Sequence, residues 1–166
     1  PAEGVIAAMD ELILSRCTAA GLEQYEISNY ARPGAECLHN LNYWYNEPYW
    51  AAGAAAVSYR HGVRARRISD PARYIASVQA NSFPIVEEER LGTEEAFRET
   101  VVIGLRMVAG VERQRLLHRF GIDVDTYYGS TLDRLQEEKL LQCSGGSITL
   151  TAKGRCFANQ VMAELV

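Results

Sequence analysis

Two glycines between serines, in LQCSGGSITLT from Leu141 to Thr151, leave this stretch little choice of structure. Glycine enters the left-handed region without steric cost, so Ser144-Gly145-Gly146-Ser147 predicts the turn of a β-hairpin. Helices are expected on both sides. Thr93 is expected to cap a helix with Glu94 and Glu95 in its first turn, an apolar stripe of Phe97, Val101, Leu105 and Val108, and Gly110 as its end. ERQRLLHRFG predicts a short helix closed by Gly121, DTYYGSTLDRLQEEKLL a third helix, and TAKGRCFANQVMAEL a closing one. Helix, helix, helix, hairpin, helix is the order of a winged-helix domain, which we assign to residues 87–166.

The first half has a different texture. Ile6, Met9, Ile13 and Cys17 recur at helical spacing, with Gly21 as the expected stop, and predict an amphipathic helix. LEQYEISNY then alternates as one short strand. A helix, a glycine and a strand make half of a βαβ-type repeat, so the fold class expected is α/β, with a truncated architecture over residues 1–86. The opening at Pro1, already mid-helix, leads us to expect a piece of a longer protein. Pro33-Gly34 predicts a turn, and AAGAAAVSYRHGVRARRIS two strands about His61-Gly62, with a helix through Ala51–Ala56 as the alternative. DPARYIASVQAN predicts a helix with Asp70 as N-cap and Pro71 at its first position. SFPIVEEERLG is extended and acidic, an expected crossing between the two parts.

Hydrophobic content of 48%, charged content of 23% and a net charge of −4 fit a globular protein with a real core and no general affinity for polyanions. The third helix and its flanks hold Asp123, Asp125, Asp133, Glu137 and Glu138 against Arg134 and Lys139, which repels phosphate, so no nucleic-acid partner is expected. No run of about 18 apolar residues suggests a membrane span, and PAEGVIAAMDELI has no basic segment of the kind a secretory signal carries. Cys17, Cys37, Cys143 and Cys156 follow no metal-binding spacing; buried thiols of a cytoplasmic protein are expected, with a metal site assembled in space as the alternative.

Three groups of residues carry candidate chemistry. Glu36–Trp50, ECLHNLNYWYNEPYW, gathers Tyr43, Trp44, Tyr45, Tyr49 and Trp50 around His39 without an apolar period. Asn40 and Asn42 could orient an imidazole or a carboxylate, and the flat rings suit a large planar ligand; a packed, hydrogen-bonded histidine is the alternative. Arg60, Arg64, Arg66, Arg67 and Arg73, with His61, form either a solvated strand face or an anion site. Glu26 and Ser28 are expected on one strand face with Asn29 at the strand's end, where barrel ligands bind.

YEISNYARPG, HNLNYW, the small-residue strand ending in SY, and LTAKG together resemble the C-terminal portion of the oxygen-independent coproporphyrinogen III oxidase-like family, from about Leu22 to the end. Ala51, Ala55 and Val57 stand where that family more often has Gly, Gly and His, and Arg67 where asparagine is common. The resemblance implies the last helix and strand of a partial (β/α) barrel with an added strand pair, followed by a winged-helix-like α+β domain. It also implies a parent protein that binds a four-iron four-sulfur cluster and S-adenosylmethionine. The C-x-x-x-C-x-x-C cluster motif is missing here, so this chain alone is expected to do no radical chemistry. His39, Asn40 and Tyr43 match the H-N-x-x-Y motif of the family's heme chaperone branch, which implies heme binding, His39 as candidate ligand to heme iron, and delivery to respiratory-chain apoproteins. Glu26, Ser28 and Asn29 become candidates for a cofactor or substrate pocket. The alternatives are a true coproporphyrinogen oxidase of porphyrin biosynthesis and a non-catalytic protein-interaction module.

Overall fold

A computed structural model of the chain describes residues 3–166, without the side chains of Glu3, Ile6 and Ala7; Pro1 lies outside the described residues. The architecture is mixed α/β with three small antiparallel sheets.

Helix α1 (Glu3–Ala19) ends at Gly21, whose φ of +72° reverses the chain. Of its expected stripe, Met9 and Ile13 stand in solvent, as do Val5, Leu12 and Leu14, because no described element packs over them; Cys17 is half-buried, and the Ile6 side chain lies outside the described residues. The following segment is a hairpin rather than one strand. β1 (Glu23–Glu26) pairs with β2 (Asn29–Ala31) around Ile27-Ser28. Tertiary bonds hold that turn, since Ile27 N donates to Arg106 O at 3.0 Å and Val108 N to Tyr25 O at 3.0 Å. Glu26 and Ser28 therefore do not share a strand face.

α2 (Leu38–Trp44) carries the aromatic segment. β3 (Val57–Arg60) and β4 (Val63–Arg67) form the expected hairpin, with His61 and Gly62 both at positive φ, and the acidic stretch becomes β5 (Ile85–Arg90), which pairs with β4. Residues Ala51–Ala56 form a loop, not a helix. In it Ala55 sits at φ +62°, a left-handed conformation in which a Cβ crowds the following carbonyl. Ala55→Gly is expected to raise stability by about 0.5 kcal/mol, relief of strain outweighing the greater freedom glycine gives the unfolded chain. A denaturation midpoint that falls on this change would mean that the loop is unstrained. α3 (Pro71–Gln79) starts as expected, Asp70 Oδ1 accepting from Arg73 N at 2.8 Å.

The apolar core belongs to the last third. α4 (Thr93–Gly104) buries Phe97 and Val101 completely, with Leu105 just beyond its end. Gly92, not Thr93, is its N-cap, and Gly92 N donates to Glu95 Oε2 at 2.7 Å. The helix stops at Gly104, before Gly110. β6 (Val111–Glu112) leads into α5 (Arg113–Phe120), closed by Gly121 at φ +69°. The expected third helix is two, α6 (Val124–Tyr128) and α7 (Ser130–Glu137), broken at Gly129 (φ +40°, ψ −115°). β7 (Leu141–Ser144) and β8 (Ser147–Leu150) form the glycine-turn hairpin, and the sheet order is β6-β8-β7. The closing helix is also two, α8 (Ala152–Cys156) and α9 (Ala158–Ala163). LTAKG acquires a physical reason here. Thr151 Oγ1 donates to Lys139 O at 2.6 Å and accepts from Gly154 N at 2.9 Å, while a Cβ on Gly154 would lie 1.9 Å from Leu140 O.

Candidate functional site

The seven residues of α2 set out the candidate ligand-binding chemistry on about two turns of helix. His39 is exposed and meets the Tyr43 ring edge-on, with ring centres 4.8 Å apart at 87°. Their i, i+4 spacing puts both side chains on one helix face. Tyr43 meets Tyr49 edge-on at 4.5 Å, and Tyr49 lies 6.4 Å from Tyr59. Between these rings is a cavity of about 390 Å3 lined by Asn40, Tyr43, Trp44, Tyr49, Tyr59 and Ile103, with Asn46 and Arg64 also in its wall. Burial raises the hydroxyl pKa values of Tyr49 and Tyr59 above the ordinary phenol value, keeping both rings neutral.

The expected imidazole-orienting amides serve other groups. Asn40 Nδ2 donates to the Tyr25 hydroxyl at 3.4 Å, and Asn42 Nδ2 lies 3.4 Å from Glu47 O and 3.3 Å from Pro48 O, which ties the chain after the helix. Asn46, missed in the sequence, is the buried amide of the region. It sits at φ +51°, a conformation asparagine tolerates, and donates to Thr100 Oγ1 at 3.0 Å and Glu99 Oε2 at 3.2 Å. From α5, Arg119 Nη1 and Nη2 donate to the carbonyls of Tyr45 (3.1 Å) and Asn46 (2.6 Å), while Arg115 pairs with Glu47 at 2.6 Å. Loose carbonyls at a helix end favour such cations.

Two of the five arginines of the cluster, Arg64 and Arg66, are paired with carboxylates. Arg64 binds Glu99 and, at 2.7 Å, Glu89; Arg66 lies 3.3 Å from Glu87; and Arg60 stacks over Trp50 at 3.9 Å. Burial pulls the Arg64 pKa down, but its bonds to Glu99 and Glu89 outweigh that and push it up. At Arg64 and Arg66 the geometry supports the solvated, paired strand face over an anion site.

Glu26 and Asn29 do come together. Glu26 is wholly buried, Asn29 Nδ2 donates to Glu26 Oε1, and Oε2 has no partner among the described residues. Ser28 is in the turn, and neither it, Glu26 nor Asn29 lines the tyrosine cavity. The hairpin touches α2 through Tyr25 and Asn40. The cysteines are free, with Cys37 and Cys156 exposed, and among the described residues no three His, Cys, Asp or Glu side chains gather as a metal site. Among the described residues no helix is long and apolar enough to cross a membrane.

Residues 91–157 match the HemN C-terminal domain family. The heme chaperone HemW of Bacillus subtilis is 36% identical over 96% of this chain, and that of Mycobacterium tuberculosis 31% identical over all of it. Along its length the chain is thus similar to proteins of the HemN and HemW kind. It spans 42% of the length of the Bacillus relative and 40% of the mycobacterial one. The fold of this HemN-like chain also matches the solved Escherichia coli coproporphyrinogen III oxidase HemN, described as a radical SAM enzyme, with a TM-score of 0.72 over 93% of this chain and 39% of that one, at 15% identity.

Proposed function

We propose that this HemN-like chain is the C-terminal part of a heme chaperone, a protein that holds heme and delivers it to respiratory-chain apoproteins. The relatives named heme chaperones run the length of the chain. The observation that carries the reading is α2 itself, which presents an exposed imidazole, His39, against the ring of Tyr43 at the side of an aromatic cavity. An imidazole nitrogen binds heme iron, and edge-to-face aromatic walls suit the flat apolar macrocycle. In this reading His39 is the iron ligand and Tyr43 supports its ring. Asn40 fixes the helix to the β1–β2 hairpin through Tyr25.

Residues 1–86 are, on this proposal, the end of a partial (β/α) barrel with added strands, and residues 87–166 a winged-helix-like domain. The bare apolar surface of α1 suits a helix that packs against the rest of a barrel. Glu26, Ser28 and Asn29 then belong to the barrel side as candidates for a cofactor or substrate pocket. The four cysteines do not fit a four-iron cluster, so any cluster and S-adenosylmethionine belong to the parent's remaining part, and no step here depends on them. A cytoplasmic location completes the proposal.

Heme titration of the full-length parent tests it. His39→Ala is expected to weaken heme binding at least tenfold and to shift the Soret band, while His118→Ala on α5 leaves both unchanged. An unchanged spectrum and affinity in His39→Ala would overturn the assignment. Turnover of coproporphyrinogen by the parent would favour the true oxidase instead.

A further inference from the structure

We propose that the cavity between α2 and β3–β4 is the seat of one edge of a porphyrin ring, held by Tyr49 and Tyr59 through ring contacts and without a charged anchor. This rests on the heme reading above and adds to it which residues hold the organic part of the ligand, as distinct from its iron.

The polar groups of the cavity decide the ligand's chemistry. Arg64 is the cation in its wall, yet Glu89 and Glu99 occupy its guanidinium. Asn46 spends its amide hydrogens on Glu99 and Thr100. A carboxylate or phosphate entering here would find the arginine already bound to two carboxylates and Glu99 close by, so no free cation anchors it. Besides the Asn40 amide and the tyrosine hydroxyls, what remains is flat carbon surface, from Tyr43, Trp44, Tyr49 and Tyr59, with Ile103 beside it. Such walls take an uncharged aromatic edge and leave any carboxylates of the ligand facing water.

Tyr49 is held for this role by its backbone. Tyr49 N donates to Tyr59 O at 2.8 Å and Tyr59 N to Tyr49 O at 3.1 Å, an isolated pair that fixes both residues at the cavity. Changing the Tyr49 side chain leaves those bonds intact, so Tyr49→Leu keeps the fold while removing the ring.

Titration of the full-length parent with metal-free protoporphyrin and with heme tests the proposal. Tyr49→Leu is expected to weaken metal-free protoporphyrin about tenfold, the factor one lost aromatic contact makes. Tyr49→Phe should restore binding, and His118→Ala on α5 should leave it unchanged. Protoporphyrin dimethyl ester should bind as tightly as the free acid. Heme binding that depends on His39 together with porphyrin binding indifferent to Tyr49→Leu would overturn the cavity assignment alone. Tighter binding of the free acid than of the ester, lost in Arg64→Gln, would overturn the uncharged seat. A parent that binds neither heme nor porphyrin would overturn the heme reading itself.

Discussion

Phe97→Ala is expected to lower the unfolding free energy by about 4 kcal/mol. Phe97 is fully buried on α4 and is the hub of an aromatic group. Its ring stacks with Tyr128 at 5.9 Å and 22°, and meets Tyr127 and Phe120 edge-on at 5.0 and 5.8 Å. Truncation loses the transfer energy of the ring and leaves a void that these neighbours cannot fill. Tyr128 is pinned by its hydroxyl to Leu165 O at 2.8 Å, and the Tyr127 hydroxyl is bonded to Glu94. The loss is a large part of the stability a domain of this size has, and should appear in chemical denaturation as a lower midpoint with little change in slope. A loss under about 1 kcal/mol would mean that the tyrosines collapse into the space.

Gly110→Ala should cost about 3 kcal/mol, from two separable causes. Gly110 stands at φ +68°, where an L side chain is strained, and a Cβ there would lie 2.0 Å from Ile148 O and 2.6 Å from Thr149 Cγ2. The residue admits β6 against β8, where Val111 pairs with Ile148. Gly145 separates the causes. It has φ +58° with nothing within 4 Å of a built Cβ, so Gly145→Ala carries only the strain, about 1 kcal/mol. Equal losses at the two positions, measured by denaturation, would remove the steric part of the argument.

Local chemistry made much of the fold legible. Gly145-Gly146, Gly121, His61-Gly62 and the Asp70-Pro71 start each act through their own backbone, and each stands where the sequence puts it. The misreadings have distant causes. The turn at Ile27-Ser28 carries neither glycine nor proline and is held by Arg106, far along the chain. Gly110 resembles a helix stop in the sequence, but its role is set by a strand that arrives almost forty residues later. The closing helix breaks at Phe157, which no local signal marks. At the candidate site the aromatic richness of Glu36–Trp50 was readable, whereas the cavity was not. Tyr59 and Arg64 reach it from β3 and β4, and Asn40 and Asn42 find their partners only after folding.

The grip of Arg115 and Arg119 on the end of α2 has a mechanical consequence. Those bonds make the histidine-bearing helix and α5 a single lever, with Asn46 as its pivot on Glu99 and Thr100. Any displacement of α5 is therefore passed through the carbonyls of Tyr45 and Asn46 to the end of α2, so the arginine-bearing helix and the wall of the tyrosine cavity shift together.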